Sequence, residues 1–225
     1  MPKSFPDPIR AAIFDMDGTL IATEAAHHRS YALTSQAIGW PLGEEILDTM
    51  VGVSRDLNEV MLAQRLGPEF PLARFYEEAD ALFMAMLDEG VDLRPGAVPI
   101  LEHFLAAGIP LALCTSTAGE LVPPRLEKAG LLGYFDVIVT RSDVSQAKPH
   151  PEPYLLAAER LGIDPAHCVA IEDSYAGVLS ATSAGIATVM VPDLLPATEA
   201  MTAAGATVLP SLDALRELLM APVEG

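Results

Sequence analysis

Asp15 and Asp17 stand two positions apart at the end of the short apolar run AAIFD (11–15), with Gly18 and Thr19 directly behind. A pair of carboxylates at a strand end suits metal and proton chemistry, although an Asp-x-Asp-Gly sequence also makes an ordinary turn. Three further strand ends carry polar residues that a purely structural strand does not need. Thr115, Ser116 and Thr117 follow LALC, Lys148 precedes the proline-opened segment PHPEP, and VAIED ends on Glu172 and Asp173. Singly, these groups read as a helix cap, a solvated surface charge and acids favoured by a helix dipole. Together they place four carboxylates, a hydroxyl cluster and one lysine at strand ends that a parallel sheet brings to one crevice. Carboxylates that close destabilise one another's ionised forms unless a cation intervenes. Magnesium, a hard ion that takes oxygen ligands and works with phosphate, resolves that conflict.

The elements that must position these groups are legible as short apolar runs at 11–15, 110–115, 136–140, 168–173, 187–192 and, more weakly, 206–210. Segments of helical period separate them. In VPILEHFLAAG (98–108) the periodic face is Val98, Leu101, Leu105 and Ala106; in PEPYLLAAERLG (151–162) it is Leu155, Leu156, Ala158 and Leu161. Each closes on a glycine suited to a helix C-terminus. Apolar strands alternating with helices predict an α/β fold whose parallel sheet is covered on both faces. Residues 22–93 break the rhythm, with helical patterns at 24–38, 43–49, 54–66 and 71–89 and no convincing strand. This stretch holds 13 acids, four arginines and no lysine. It reads as an all-helical insert, giving a core of residues 1–21 and 94–225 and a cap of residues 22–93.

With 225 residues, 51% of them hydrophobic and 20% charged, the chain can bury a sizeable core. A net charge of −18 argues against nucleic-acid and anionic-membrane partners. No apolar run approaches the ~18–20 residues of a membrane span, and MPKSFPDPIR (1–10) lacks the apolar stretch expected of a secretion signal. Cys114 and Cys168 lie in apolar segments without metal-ligand spacing, as expected of buried free thiols in a cytoplasmic protein. No heptad seam suggests an oligomer, so a monomer is expected.

In order along the chain, Asp15-Met-Asp17-Gly-Thr-Leu, Thr115, Lys148-Pro and Glu172-Asp173-Ser174-x-x-Gly177 resemble the motifs of the haloacid dehalogenase superfamily of phosphohydrolases. The similarity runs from residue 11 to about 192. DMDGTL, TEAAHH, VGVSR and KPHPEPY resemble the beta-phosphoglucomutase-like branch, whose type 1 helical cap falls where residues 22–93 lie. The resemblance implies a Rossmann-like core and an aspartyl-phosphate mechanism. Asp15 would be the nucleophile and Asp17 the general acid and base, while Thr115 and Lys148 would hold the phosphoryl oxygens. Asp15, the Asp17 backbone carbonyl, Asp173 and, through water, Glu172 would hold Mg2+. Ser116 would support the phosphate loop. Arg55, in the cap, would contact the distal part of a small phosphorylated substrate such as a sugar or polyol phosphate, and His27, in the first cap helix, would lie near the hinge and bind the substrate or pack at the hinge.

Departures from the pattern narrow the chemistry. Ala22 replaces an acid near the hinge, and Ala147 replaces a glycine before the motif lysine. Asp17 argues against carbon–halogen chemistry, and a cap without lysine argues against phosphonate hydrolysis through a Schiff base. Val51 stands where mutase relatives carry a lysine, which favours hydrolysis over a phosphosugar mutase. A non-catalytic phospho-accepting module is the third alternative, disfavoured by chain length and by the second aspartate.

Overall fold

The computed structural model describes residues 5–50, 55–90, 92–193 and 196–221. Val51, which bears on the choice between hydrolase and mutase, lies outside them. The chain separates into two compact units, Met1–Ala22 with Asp92–Gly225, and Thr23–Val91.

In the first unit six strands form one parallel sheet: β1 (Ala11–Phe14), β2 (Leu111–Cys114), β3 (Val137–Val139), β4 (Cys168–Glu172), β5 (Ala187–Met190) and β6 (Thr207–Val208). Their order is β3-β2-β1-β4-β5-β6, so β1 lies between β2 and β4. Phe14 is level with Leu113 on one side and Ile171 on the other, which aligns the three strand ends. Every residue of β1, β2, β4 and β5 is buried, as expected of a parallel sheet with helices on both faces.

Alternation along β1 shows how the faces are covered. Ala11 and Ile13 share a core cluster with Tyr154 and Ala157 of α7 (Glu152–Leu161). Phe14 instead meets Phe104 of α5 (Ala97–Ala106) edge-on, with ring centroids 5.9 Å apart. Successive strand residues point to opposite faces, so these helices cover opposite sides of the sheet. α6 (Val122–Lys128), α8 (Tyr175–Ser183), α9 (Glu199–Ala203) and α10 (Leu212–Met220) complete the unit.

The helices form where the period places them, but their buried faces are rotated from the expected ones. α5 buries Ala97, Ile100, Leu101 and Phe104, while Leu105 is 43% exposed. α7 buries Tyr154, Ala157 and Ala158 and leaves Leu155 42% exposed. In each an aromatic ring leads the contact with the sheet, Phe104 with Ile100 and Leu101 in α5 and Tyr154 with Ala157 and Ala158 in α7, and that fit outweighs a simple count of leucines. The helix ends follow expectation: Gly162, at φ 68°, takes the left-handed conformation that closes α7.

The second unit consists of α1 (Thr23–Ala37), α2 (Glu44–Met50), α3 (Arg55–Leu66) and α4 (Leu72–Glu89). Its core joins Met50, Leu62, Phe70, Phe75 and Tyr76, with Tyr31 packed against them. Trp40 sits at the margin, 38% exposed, its ring edge-on to Phe70. His28 is half-buried and stands 3.4 Å from both Glu44 and Asp48, tying α1 to α2. Among the described residues no helix is long and apolar enough to cross a membrane. Cys114 and Cys168 are buried free thiols, as expected.

Candidate active site

The site grows from the aligned ends of β1, β2 and β4. The Asp15 N–H donates to the Ile171 carbonyl and the Thr115 N–H to the Val139 carbonyl, each at 2.9 Å, so the ladder continues one residue past each strand. Beyond Asp15 the chain turns tightly. Gly18 adopts φ 81°, a conformation that favours glycine, and its N–H donates to Ile21 O at 2.8 Å. That turn brings Asp17 back beside the loop after β2.

Lys148 is the hub. Its ammonium donates to Asp15 Oδ1 at 2.7 Å, Glu172 Oε1 at 2.6 Å and the Cys114 carbonyl at 2.8 Å, which uses all three of its protons. Its side chain is only 4% exposed. Burial disfavours the charged ammonium, but the Asp15 and Glu172 carboxylates overcome this and hold its pKa well above the ordinary lysine value. Asp15 is shifted the other way from the usual ion-paired acid. Burial pushes its carboxyl well above the ordinary value, and the nearby Glu172 and Asp17 carboxylates add to the effect that Lys148 opposes.

Glu172 is fully buried and held on every side. Its Oε1 also accepts from the Tyr154 hydroxyl at 2.8 Å. Its Oε2 accepts from Asp173 N, Ser174 N and the Ser174 hydroxyl at 3.1–3.3 Å. Ser174 in turn caps α8 by accepting from Gly177 N at 3.1 Å. A Cβ on Gly177 would lie 1.8 Å from Glu172 Oε1, so glycine is the residue that leaves room for the carboxylate.

Asp15, Glu172 and Asp173 each offer a carboxylate oxygen within 4.8 Å of the others. Thr19 donates to Asp173 Oδ1 at 3.2 Å. Three carboxylates against one ammonium leave an excess of negative charge, and every donor is a hard oxygen. This donor set fits a hard divalent cation and suits neither a thiolate nor an imidazole-preferring metal.

Asp17 has partners of its own. The Thr117 hydroxyl donates to its Oδ2 at 2.6 Å, and the Arg125 guanidinium donates to its Oδ1 at 2.8 Å. Thr115 is buried, its hydroxyl accepting from Thr117 N at 3.1 Å, whereas Ser116 is exposed. The first unit therefore gathers Asp15, Asp17, Thr115, Ser116, Lys148, Glu172 and Asp173. Arg55 and His27 belong to the helical unit. Arg55 pairs with Asp80 at 2.7 Å and Glu59 at 3.2 Å and lies 4.2 Å above the Tyr76 ring. His27 stacks on Phe83 with centroids 3.6 Å apart.

Arg125 and Tyr154 did not stand out in the sequence. In VPPRLEKAG an arginine reads as solvent-facing. The tyrosine carried a usable signal, because a tyrosine on an apolar helix face brings a hydroxyl that needs a buried partner.

Residues 9–185 match the haloacid dehalogenase-like hydrolase family. The chain is 37% identical over 182 residues to the phosphorylated carbohydrates phosphatase of Thermotoga maritima, covering 79% of this chain and 82% of that protein. It is 34% identical over 178 residues to hexitol phosphatase A of Escherichia coli K12, covering 77% and 78% respectively. The crystal structure of a putative beta-phosphoglucomutase from Thermotoga maritima matches with a TM-score of 0.79 at 34% identity, over 93% of this chain and 98% of that one. The chain thus belongs to the haloacid dehalogenase-like hydrolases, as an enzyme similar to the beta-phosphoglucomutase-like phosphatases.

Proposed function

We propose that this enzyme is a magnesium-dependent phosphatase that hydrolyses a small phosphorylated metabolite, a sugar or polyol phosphate, through an aspartyl-phosphate on Asp15. The observation that carries this reading is the Lys148 ammonium bound to both Asp15 and Glu172 beside a cluster of three carboxylates. Such a site supplies a nucleophile, a fixed cation for phosphoryl oxygens and a cation-binding set at one strand edge. The names of two relatives, acting on phosphorylated carbohydrates and on hexitol phosphates, support the substrate class.

In this mechanism Asp15 attacks phosphorus in line with the leaving oxygen. Asp17 gives a proton to the departing alkoxide and then takes one from the water that cleaves the acyl phosphate. The Thr115 hydroxyl holds one phosphoryl oxygen as charge develops, and Lys148 exchanges its hydrogen bond to Asp15 for one to another. Asp15, the Asp17 backbone carbonyl, Asp173 and, through water, Glu172 would hold Mg2+. When bound, the ion neutralises charge between an anionic nucleophile and an anionic ester. Residues 22–93 would act as a mobile cap that reads the leaving group through Arg55 and His27. The enzyme would work as a cytoplasmic monomer.

Replacing Asp15 with Asn is expected to abolish phosphate release across a panel of phosphorylated metabolites assayed with and without magnesium. Retained turnover in that variant removes the mechanism. The match to a putative beta-phosphoglucomutase favours one second reading, a phosphosugar mutase. Product analysis with a hexose 1-phosphate separates the two, since free phosphate marks a hydrolase and an isomerised sugar phosphate a mutase.

A further inference from the structure

We propose that Arg125, together with Thr117, is the positioning residue that orients Asp17 for proton transfer to the leaving oxygen. This inference rests on the phosphatase reading above and adds to it a residue outside the motifs that identify the family. Arg125 lies on α6, whose first turn is stiffened by Pro123 and Pro124. It is only 6% exposed, although burying a guanidinium costs several kcal/mol unless it is paired. A helix that needed only to pack here would carry an aliphatic side chain. The guanidinium instead reaches across 108 residues of sequence to Asp17 Oδ1 at 2.8 Å, and the same nitrogen donates to Thr117 Oγ1 at 3.4 Å. Thr117 closes the triangle by donating to Asp17 Oδ2 at 2.6 Å.

The two partners treat the two oxygens differently. A guanidinium is donor-only and stays charged, so it fixes Oδ1 as an acceptor. A hydroxyl both donates and accepts, so Thr117 can face Oδ2 whether or not that oxygen carries a proton. The pair therefore sets the plane of the carboxylate and assigns the mobile proton to Oδ2. In the first half-reaction the Asp15–phosphorus bond forms as the ester phosphorus–oxygen bond breaks. The leaving oxygen takes its proton from Asp17 Oδ2. In the second half, the water oxygen bonds to phosphorus and its proton goes to Oδ2. The Asp15–phosphorus bond then breaks, releasing inorganic phosphate.

The leaving group provides the test. An alkoxide needs a proton as it departs, whereas p-nitrophenolate leaves without one. We expect R125M to lower kcat/KM for a hexitol phosphate by about a hundredfold, the usual scale of general-acid catalysis, and for p-nitrophenyl phosphate by less than about threefold. R125K, which keeps the charge without the planar fork, is expected to fall between R125M and wild type. T117V is expected to show the same selective loss at about tenfold. Turnover of the nitrophenyl ester serves as the control for folding, and R125K and T117V carry the test if R125M does not fold. Equal losses on both esters, or no loss on the hexitol ester, overturn the role of Arg125 while leaving the phosphatase reading intact. A wild-type enzyme that releases phosphate from neither ester removes both.

Discussion

Lys148 and Arg55 are each a cation held by two carboxylates, yet the side chain of the first is 4% exposed and that of the second 48%. Lys148 sits among the strand ends of the α/β unit with every donor committed and its side chain almost fully buried. Arg55 lies on a helix surface of the other unit, where solvent screens Glu59 and Asp80 and can take their place. The same chemical motif therefore serves opposite ends. Buried, it fixes geometry to within a hydrogen-bond length. Exposed, it is worth about 0–1 kcal/mol and leaves the guanidinium free to exchange partners. A residue proposed to read the leaving group gains from the second arrangement, and one proposed to hold the phosphoryl group gains from the first.

The comparison breaks most visibly at Lys148. Lys148→Met strands Asp15 and Glu172 as uncompensated buried acids, and removing one partner of a buried pair typically costs about 3–5 kcal/mol. Chemical denaturation is expected to show a loss of that size, with phosphate release falling by at least about a thousandfold. A variant of wild-type stability would show that the buried network is dispensable. Gly177→Ala is the next largest. Glu172 cannot swing away cheaply because Lys148, Tyr154 and Ser174 hold it, so the added methyl must displace the carboxylate or the helix. Isothermal titration with magnesium is expected to show an affinity about tenfold to a hundredfold weaker.

The pH dependence sharpens the contrast further. The folded Asp15 carboxyl titrates well above its ordinary value of 3.8, so the folded state keeps a proton that the unfolded chain has already released. For this group, stability is fully present below the unfolded value and is lost as pH rises through the folded one. A divalent ion that needs ionised Asp15 acts in the other sense. The rise in Tm on adding magnesium is therefore expected to be larger at about pH 8 than at about pH 5. A pH-independent rise counts against Asp15 as a ligand. The smallest stability effect belongs to the exposed pair: Arg55→Ala is expected to cost less than about 1 kcal/mol. Its kcat/KM, by contrast, should fall unevenly across a panel of sugar phosphates, and a uniform result would detach Arg55 from specificity.

Local sequence carried much of this arrangement. All six strands lie within a residue or two of the apolar runs, because a buried parallel strand needs an uninterrupted apolar stretch. The residues at their ends were legible for the converse reason, as polar groups where packing asks for none. Helix rotation was not legible, because leucines dominate the periodic count while Phe104 and Tyr154 lead the sheet contact. Arg125 was hidden by distance. Nothing in VPPRLEKAG marks an arginine aimed at a carboxylate 108 positions earlier as buried, and Lys128, one turn further along, as exposed. Tertiary pairing of this kind is decided by the register of whole elements, and local spacing does not encode it.

The places where the helical insert leaves and rejoins the α/β unit are themselves joined. Ile21 pairs with Leu93, the Ala22 N–H donates to Asp92 O at 2.9 Å, and the Arg94 N–H donates to Leu20 O at 2.9 Å. The Arg94 guanidinium is anchored beyond that by Asp193 and the Pro192 carbonyl. The gap in the core is thus one hydrogen bond wide. An insertion point with such neighbouring ends lets a lineage exchange its whole helical insert as a cassette, lengthening, replacing or discarding it while the sheet and its acids stay unchanged.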